Sequence, residues 1–278
     1  MNAGHEEPWV PTRFVRFEKS LATSMRTAIV QTDAGRAYLK GIGNPEGPHA
    51  LVCEYVGTRL AKLFGLKTLE FAIIPITRSD AIPLGGTNFV QPGPAYVTRA
   101  LVGALPWGGK AESLKYLENA GDIPKIVVFD TWLRNADRCP PVGSMRGPNY
   151  DNVLLSPIIG MARRYNLFAI DHTHCISNGK VIGRGLCGID YTKDGAVYGL
   201  FEPFKEYVTK PMIEDALKVL AALDRAKIKV VIDDVPAEWD LESGQRKYLL
   251  DFICDRIGYV SDNMESLLEP FCWPRGNP

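Results

Sequence analysis

The chain has 278 residues, 46% of them hydrophobic and 23% charged, which excludes a disordered polypeptide and leaves room for one large domain or two lobes. Lys plus Arg and Asp plus Glu each number 32, so no overall field draws the protein to nucleic acid or an acidic membrane, and any phosphate chemistry must be local. The start, "MNAGHEEPWVPTRF", lacks the basic and apolar runs of a signal peptide, and no stretch approaches the ~18 apolar residues of a membrane span, so a cytoplasmic protein with no membrane partner is expected.

In chain order, "RFVRFEK", "MRTAIVQT" and "RAYLKGI" cluster β-favoured residues, and "TDAG" at 32–35 supplies turn residues between the last two. A helix is predicted over "HALVCEYVGTRLAKLFGL", where Cys53, Val56, Leu60, Leu63 and Phe64 recur at helical spacing, and it is expected to pack on the sheet. "EFAIIPI" and "AYVTRAL" read as two more strands separated by the Pro/Gly-rich "IPLGGTNFVQPGP". From about residue 110 the pattern turns helical: "AESLKYLENAG", "IPKIVVFDTWLRNA", "PMIEDALKVLAALDRA" and "GQRKYLLDFICDRIGYVSDNMESLLEPF", interrupted by strand-like "NVLL" and "YNLFAID". The expected layout is α+β, with a β-rich lobe over residues 1–101 and a mainly helical lobe over 102–278. The six cysteines are scattered without a CxxC, so they read as reduced structural thiols.

Three places can carry chemistry. Lys40 closes a strand among apolar neighbours; alone it reads as a solvated end charge, but Glu54 is a lone acid in the apolar run "ALVCEYVG" and needs a partner. A strand lysine paired with a helix glutamate is the arrangement that protein kinases use on ATP phosphates, and the alternative is a structural ion pair. In "FDTWLRNADRCPP", Asp137 follows a helix end, where an Asp can accept the proton of an attacking hydroxyl, and Asn152 further on can offer an amide oxygen to Mg²⁺. The alternative there is a capping Asn135 and a turn Asp137. In "LFAIDHTHCI" an apolar strand delivers Asp171, a hard oxygen ligand; His172 and His174 alternate along an extended chain and are expected to flank the site.

The order Lys40, Glu54, Asp137, Asn152, Asp171 spells a kinase-like site. Together, "AYLKG", "EYVGTRLAKLFGL", "FDTWLRNADR...DNVLL" and "LFAIDH" resemble the HipA-like kinase family, and more distantly the phosphoinositide kinases, over about residues 25–265. The resemblance implies a two-lobed protein-kinase-like fold and a phosphotransferase using ATP and Mg²⁺. It implies that Lys40 holds the ATP phosphates and pairs with Glu54, that Asp137 is the catalytic Asp supported by Arg138, and that Asn152 and Asp171 bind magnesium. The segment from Val97 to Ala100 would be the hinge whose backbone meets adenine.

Two features depart from the family pattern. "RCPPVGSMRGPNYD" inserts a long loop between Asp137 and Asn152, which could engage a partner through Arg146 and Tyr150 or be a tolerated excursion. The phosphate loop "EKSLATSM" has no glycine, so Ser20, Thr23 and Ser24 are the candidates for phosphate contact. The leading expectation is transfer of the γ-phosphate to a protein Ser or Thr, with an unknown protein substrate or an antitoxin-like partner and no direct nucleic-acid binding. A nucleotide-binding pseudokinase, a small-molecule or lipid kinase, and a nucleotidyl transferase are the alternatives.

Overall fold

Tight turns, alternating apolar residues and β-branched side chains fold the first part of the chain into strands. In the computed structural model, which describes residues 8–273, β1 (Phe14–Ser20), β2 (Ala28–Thr32), β3 (Gly35–Lys40), β4 (Phe71–Ile76) and β7 (Gly93–Arg99) form an antiparallel sheet in the order β1-β2-β3-β7-β4. Thr32 closes the β2–β3 turn by donating its hydroxyl to Gly35 O at 2.7 Å. The register sets Leu39 opposite Ala28 and Val97, and Val97 opposite Ala72. These side chains share one face, over which Val30, Ala37, Ile74, Ile76, Val97 and Leu39 form the core of this unit. Because side chains alternate, Lys40 and Tyr96 stand on the other face. The Pro/Gly-rich stretch read as a loop carries a small hairpin of β5 (Pro83–Gly85) and β6 (Asn88–Phe89), turned by Gly85 and Gly86 in the left-handed region at φ +102° and +60°.

The chain divides into two compact units, residues 8–51 with 69–101, and 52–68 with 102–273. Helix α1 (Pro48–Leu63), expected to pack on the sheet, is divided between the units, with its residues from Val52 onward in the second. The reason lies at its far end, where buried Phe64 stacks on Phe129 at 6.0 Å and meets Trp132 at 6.3 Å.

The second unit is built on α3 (Asp122–Leu133), in which residues 126–133 are all buried. A helix apolar on every side must be enclosed. The thirty-residue α7 (Ser243–Cys272) crosses it, and Trp132 donates its indole N–H to Ile253 O at 2.9 Å. Buried Arg256 of α7 donates to the carbonyls of Thr131 and Trp132, which would otherwise be orphans near the end of α3, and to that of Asp194. Two amphipathic helices, α5 (Lys210–Ala221) and α6 (Arg225–Asp233), pack on α7 through Ile213, Ala216, Leu220 and Ile228, Val231, Ile232. The run read as one helix to Ala226 breaks because Asp224 caps α6, accepting from Ala226 N at 2.8 Å.

A three-stranded antiparallel sheet of β8 (Leu105–Pro106), β9 (Val153–Pro157) and β10 (Tyr165–Ala169) completes the unit, together with the one-turn helices α2 (Ala111–Leu114) and α4 (Ile189–Thr192). The helix read over 111–121 stops at Leu114 because the next residues run along β10. Asn119 donates to Leu167 O and accepts from Leu167 N, both at 2.8 Å, so its amide replaces a strand partner.

Candidate active site

Helix α3 ends because Arg134 adopts the left-handed conformation (φ +54°), which turns the chain out of the helix. Asn135 is fully buried and ties the turn back to the helix, donating from its backbone to Asp130 O at 2.9 Å and from its side chain to Asp130 Oδ1 at 3.1 Å. Arg138 is also fully buried. Its guanidinium pairs with Asp130 Oδ1 and donates to the carbonyls of Asn152 (3.2 Å) and Ile170 (2.8 Å). Burial pushes the Asp130 carboxyl up, opposed by the charge and hydrogen bonds of Arg138 and by Asn135.

The strand register explains why those two carbonyls lie together. β9 and β10 pair with Val153 opposite Ala169, so Asn152, just before β9, faces Ile170, just after β10, and Ile170 N donates to Asn152 O at 3.1 Å. Asn152 and Asp171 therefore emerge at one end of the hairpin, which Arg138 fastens beside Asp137.

Asp137 is the exposed counterpart to this buried frame, with its side chain 26% accessible. Its Oδ2 accepts from Asn152 Nδ2 at 2.7 Å and from Asn149 Nδ2 at 3.4 Å, and His174 Nδ1 lies 3.8 Å away. Among the described residues no protein donor reaches Asp137 Oδ1 or Asn152 Oδ1, so one carboxylate oxygen and one amide oxygen stay open. Asp171 sits at φ +57° and accepts at Oδ1 from the hydroxyl (2.5 Å) and N–H (3.4 Å) of Thr173. Glu54 Oε2 accepts from His172 N at 3.0 Å and lies 2.9 Å from the Thr173 hydroxyl.

Both histidines are buried. His172 contacts Thr58 Oγ1 at 3.3 Å and stands edge-on to Phe129 at 5.5 Å, as a packed core residue does. Gly57 permits this, since a Cβ there would lie 2.5 Å from His172 Cβ. The inserted loop is closed at its neck: Asn149 N donates to Arg138 O at 2.9 Å, and residues 142–148 are all exposed. Tyr150, read as a possible partner contact, is instead packed between Phe201 (5.2 Å) and Trp107 (5.5 Å). Burial pushes the Cys139 thiol up to about 12, which makes it a packing group at neutral pH.

The first unit carries the remaining expected residues. Lys40, at the end of β3, is 9% exposed. Ser20 donates its hydroxyl to Pro83 O at 2.8 Å, and Thr23 Oγ1 accepts from Thr27 N at 2.9 Å, so both hydroxyls hold the loop's own shape in place of glycine; Ser24 is exposed. In the segment expected at the adenine, Ala100 N donates to Arg36 O at 3.0 Å and Val97 lies mid-ladder between Leu39 and Ala72.

The sequence reading did not single out Thr173, Asn149 or Asp130. Only Asp130 carried a signal, as an acid that follows the apolar run 126–129 within the helix. Among the described residues no three His, Cys, Asp or Glu side chains gather as a metal site. Asn152 and Asp171 would offer one amide oxygen and one carboxylate, a sparse set of the kind that magnesium takes beside phosphates and water.

No family model matches the chain, and no curated protein matches it by sequence. Among solved structures it is similar to the crystal structure of a Helicobacter pylori proinflammatory kinase, CtkA, with a TM-score of 0.61 and 14% identity, covering 94% of this chain and 99% of that one. The fold is thus a two-lobed protein-kinase-like one, β-rich in its N-terminal part and mainly helical in its C-terminal part. No helix among the described residues is long and apolar enough to cross a membrane.

Proposed function

We propose that the chain is an ATP- and Mg²⁺-dependent phosphotransferase of HipA-like type that moves the γ-phosphate of ATP to a protein Ser or Thr hydroxyl. The observation that carries this reading is the frame around Arg138, which holds Asp137, Asn152 and the start of the Asp171 loop at one end of the β9–β10 hairpin. Asp137, held through Oδ2 by the Asn152 and Asn149 amides, has Oδ1 to orient the acceptor hydroxyl and take its proton as the oxygen attacks phosphorus. Asn152, its NH₂ committed to Asp137, has its amide oxygen for a metal, and Asp171 supplies a carboxylate. These two residues would hold magnesium, whose charge would offset that on the phosphate oxygens. Lys40 is assigned to the ATP phosphates and Glu54 to pairing with it. Calorimetric titration of ATP with and without Mg²⁺ tests the reading: tight binding that needs Mg²⁺ in the wild type and is lost in Asp171→Asn supports it, and binding indifferent to both refutes it.

A nucleotide-binding pseudokinase is the second reading, favoured by the commitment of the Ser20 and Thr23 hydroxyls within their own loop. It is distinguished by Asp137→Ala, which leaves a pseudokinase fully functional in its cellular role and abolishes that role in an enzyme.

A further inference from the structure

We infer that Thr173 is a positioning residue that orients the Asp171 carboxylate for its metal; this rests on the phosphotransferase reading. Thr173 is 1% exposed, and its hydroxyl lies 2.5 Å from Asp171 Oδ1 and 2.9 Å from Glu54 Oε2. A hydroxyl has one proton, so it can serve only one of these two acceptors at a time. The shorter contact assigns the proton to Asp171. Asp171 stands in the left-handed region, which a non-glycine residue keeps only when its surroundings hold it there, and the paired N–H and hydroxyl of Thr173 on Oδ1 do so.

Glu54 Oε2 keeps the His172 N–H as its donor at 3.0 Å. The sequence positions around Asp171 thereby form one unit: Asp171 for the metal, His172 N for Glu54, and the Thr173 hydroxyl between the two carboxylates.

The test is Mn²⁺ binding in the presence of a non-hydrolysable ATP analogue, read from the electron paramagnetic resonance signal of free Mn²⁺, for wild type, Asp171→Asn, Thr173→Val and Thr173→Ser. Thr173→Val is expected to weaken Mn²⁺ about 10–100-fold, the usual cost of losing a group that orients a metal ligand. Thr173→Ser, which restores the hydroxyl, is expected to bind close to wild type. Thr173→Val binding like wild type, or Thr173→Ser binding as poorly as Thr173→Val, overturns the inference while leaving the phosphotransferase reading intact. Wild type binding no tighter than Asp171→Asn overturns both. Should Thr173→Val not fold, as judged by circular dichroism, Thr173→Ala carries the same comparison.

Discussion

Replacing Arg138 by Met keeps the bulk of the side chain and removes its charge. Asp130 then stays at 0% exposure without a counter-charge, and the carbonyls of Asn152 and Ile170 lose their shared donor. Breaking a buried pair from one side costs about 3–5 kcal/mol, a large part of the ~5–15 kcal/mol that holds a domain together. Urea unfolding followed by tryptophan fluorescence measures this, since Trp132 lies buried one turn from the site. Two controls identify the cause. Asp130→Asn added to Arg138→Met removes the stranded charge and should recover about half of the loss. Burial pushes the Asp130 carboxyl above its ordinary 3.8. A raised carboxyl favours folding below its unfolded pKa and loses that benefit as pH rises through the folded one, so the deficit of Arg138→Met should shrink as pH is lowered. A loss below about 1 kcal/mol, or a double variant as unstable as the single one, would refute the role given to this pair.

Other perturbations have equally definite outcomes. Gly57→Ala gains about 1 kcal/mol of helix propensity but drives a Cβ to 2.5 Å from His172 Cβ and 3.0 Å from Cys175 Sγ, so a net loss of stability and weaker Mn²⁺ binding are expected. Gly258→Ala on α7, where a Cβ meets nothing within 4 Å, should instead raise the unfolding midpoint. Replacing residues 142–147 with a short Gly/Ser link should cost less than about 1 kcal/mol, because closure entropy varies slowly with loop length and these residues are exposed; a larger loss means the loop braces the site. Burial pushes the Asp194 carboxyl up but is outweighed by the Tyr198 hydroxyl, Ala196 N and Arg134, leaving it below its ordinary 3.8. Its stabilisation is present above that value and disappears as pH falls through the folded pKa, so Asp194→Asn should flatten the acid limb of a stability–pH profile and barely change the slope at neutral pH.

How much of this could be read from the residues differs by level. The β2–β3 hairpin was legible because Thr32 to Gly35 is a local turn. The hairpin of Asn152 and Asp171 was partly so, since two apolar runs lead into and out of it. The allegiance of α1 was not, because its apolar face fits a sheet or a helix equally, and only the position of Phe129 and Trp132 decides for Phe64. The split at Asp224 was missed because an N-cap Asp looks like any helical acid until the next residues turn. The roles of Arg138 and Thr173 are matters of hydrogen-bond geometry between residues distant in sequence or hidden in a loop, and neither charge nor periodicity marks them.

The central claim is that Asp137, Asn152 and Asp171 serve phosphoryl transfer. It is tested most directly by incubating the full chain with γ-³²P-labelled ATP and Mg²⁺, alone and with a generic Ser/Thr-bearing acceptor protein, beside Asp137→Ala. The account predicts label on serine or threonine with the wild type and none with the variant. Label transferred equally by both proteins, or by neither, would contradict it.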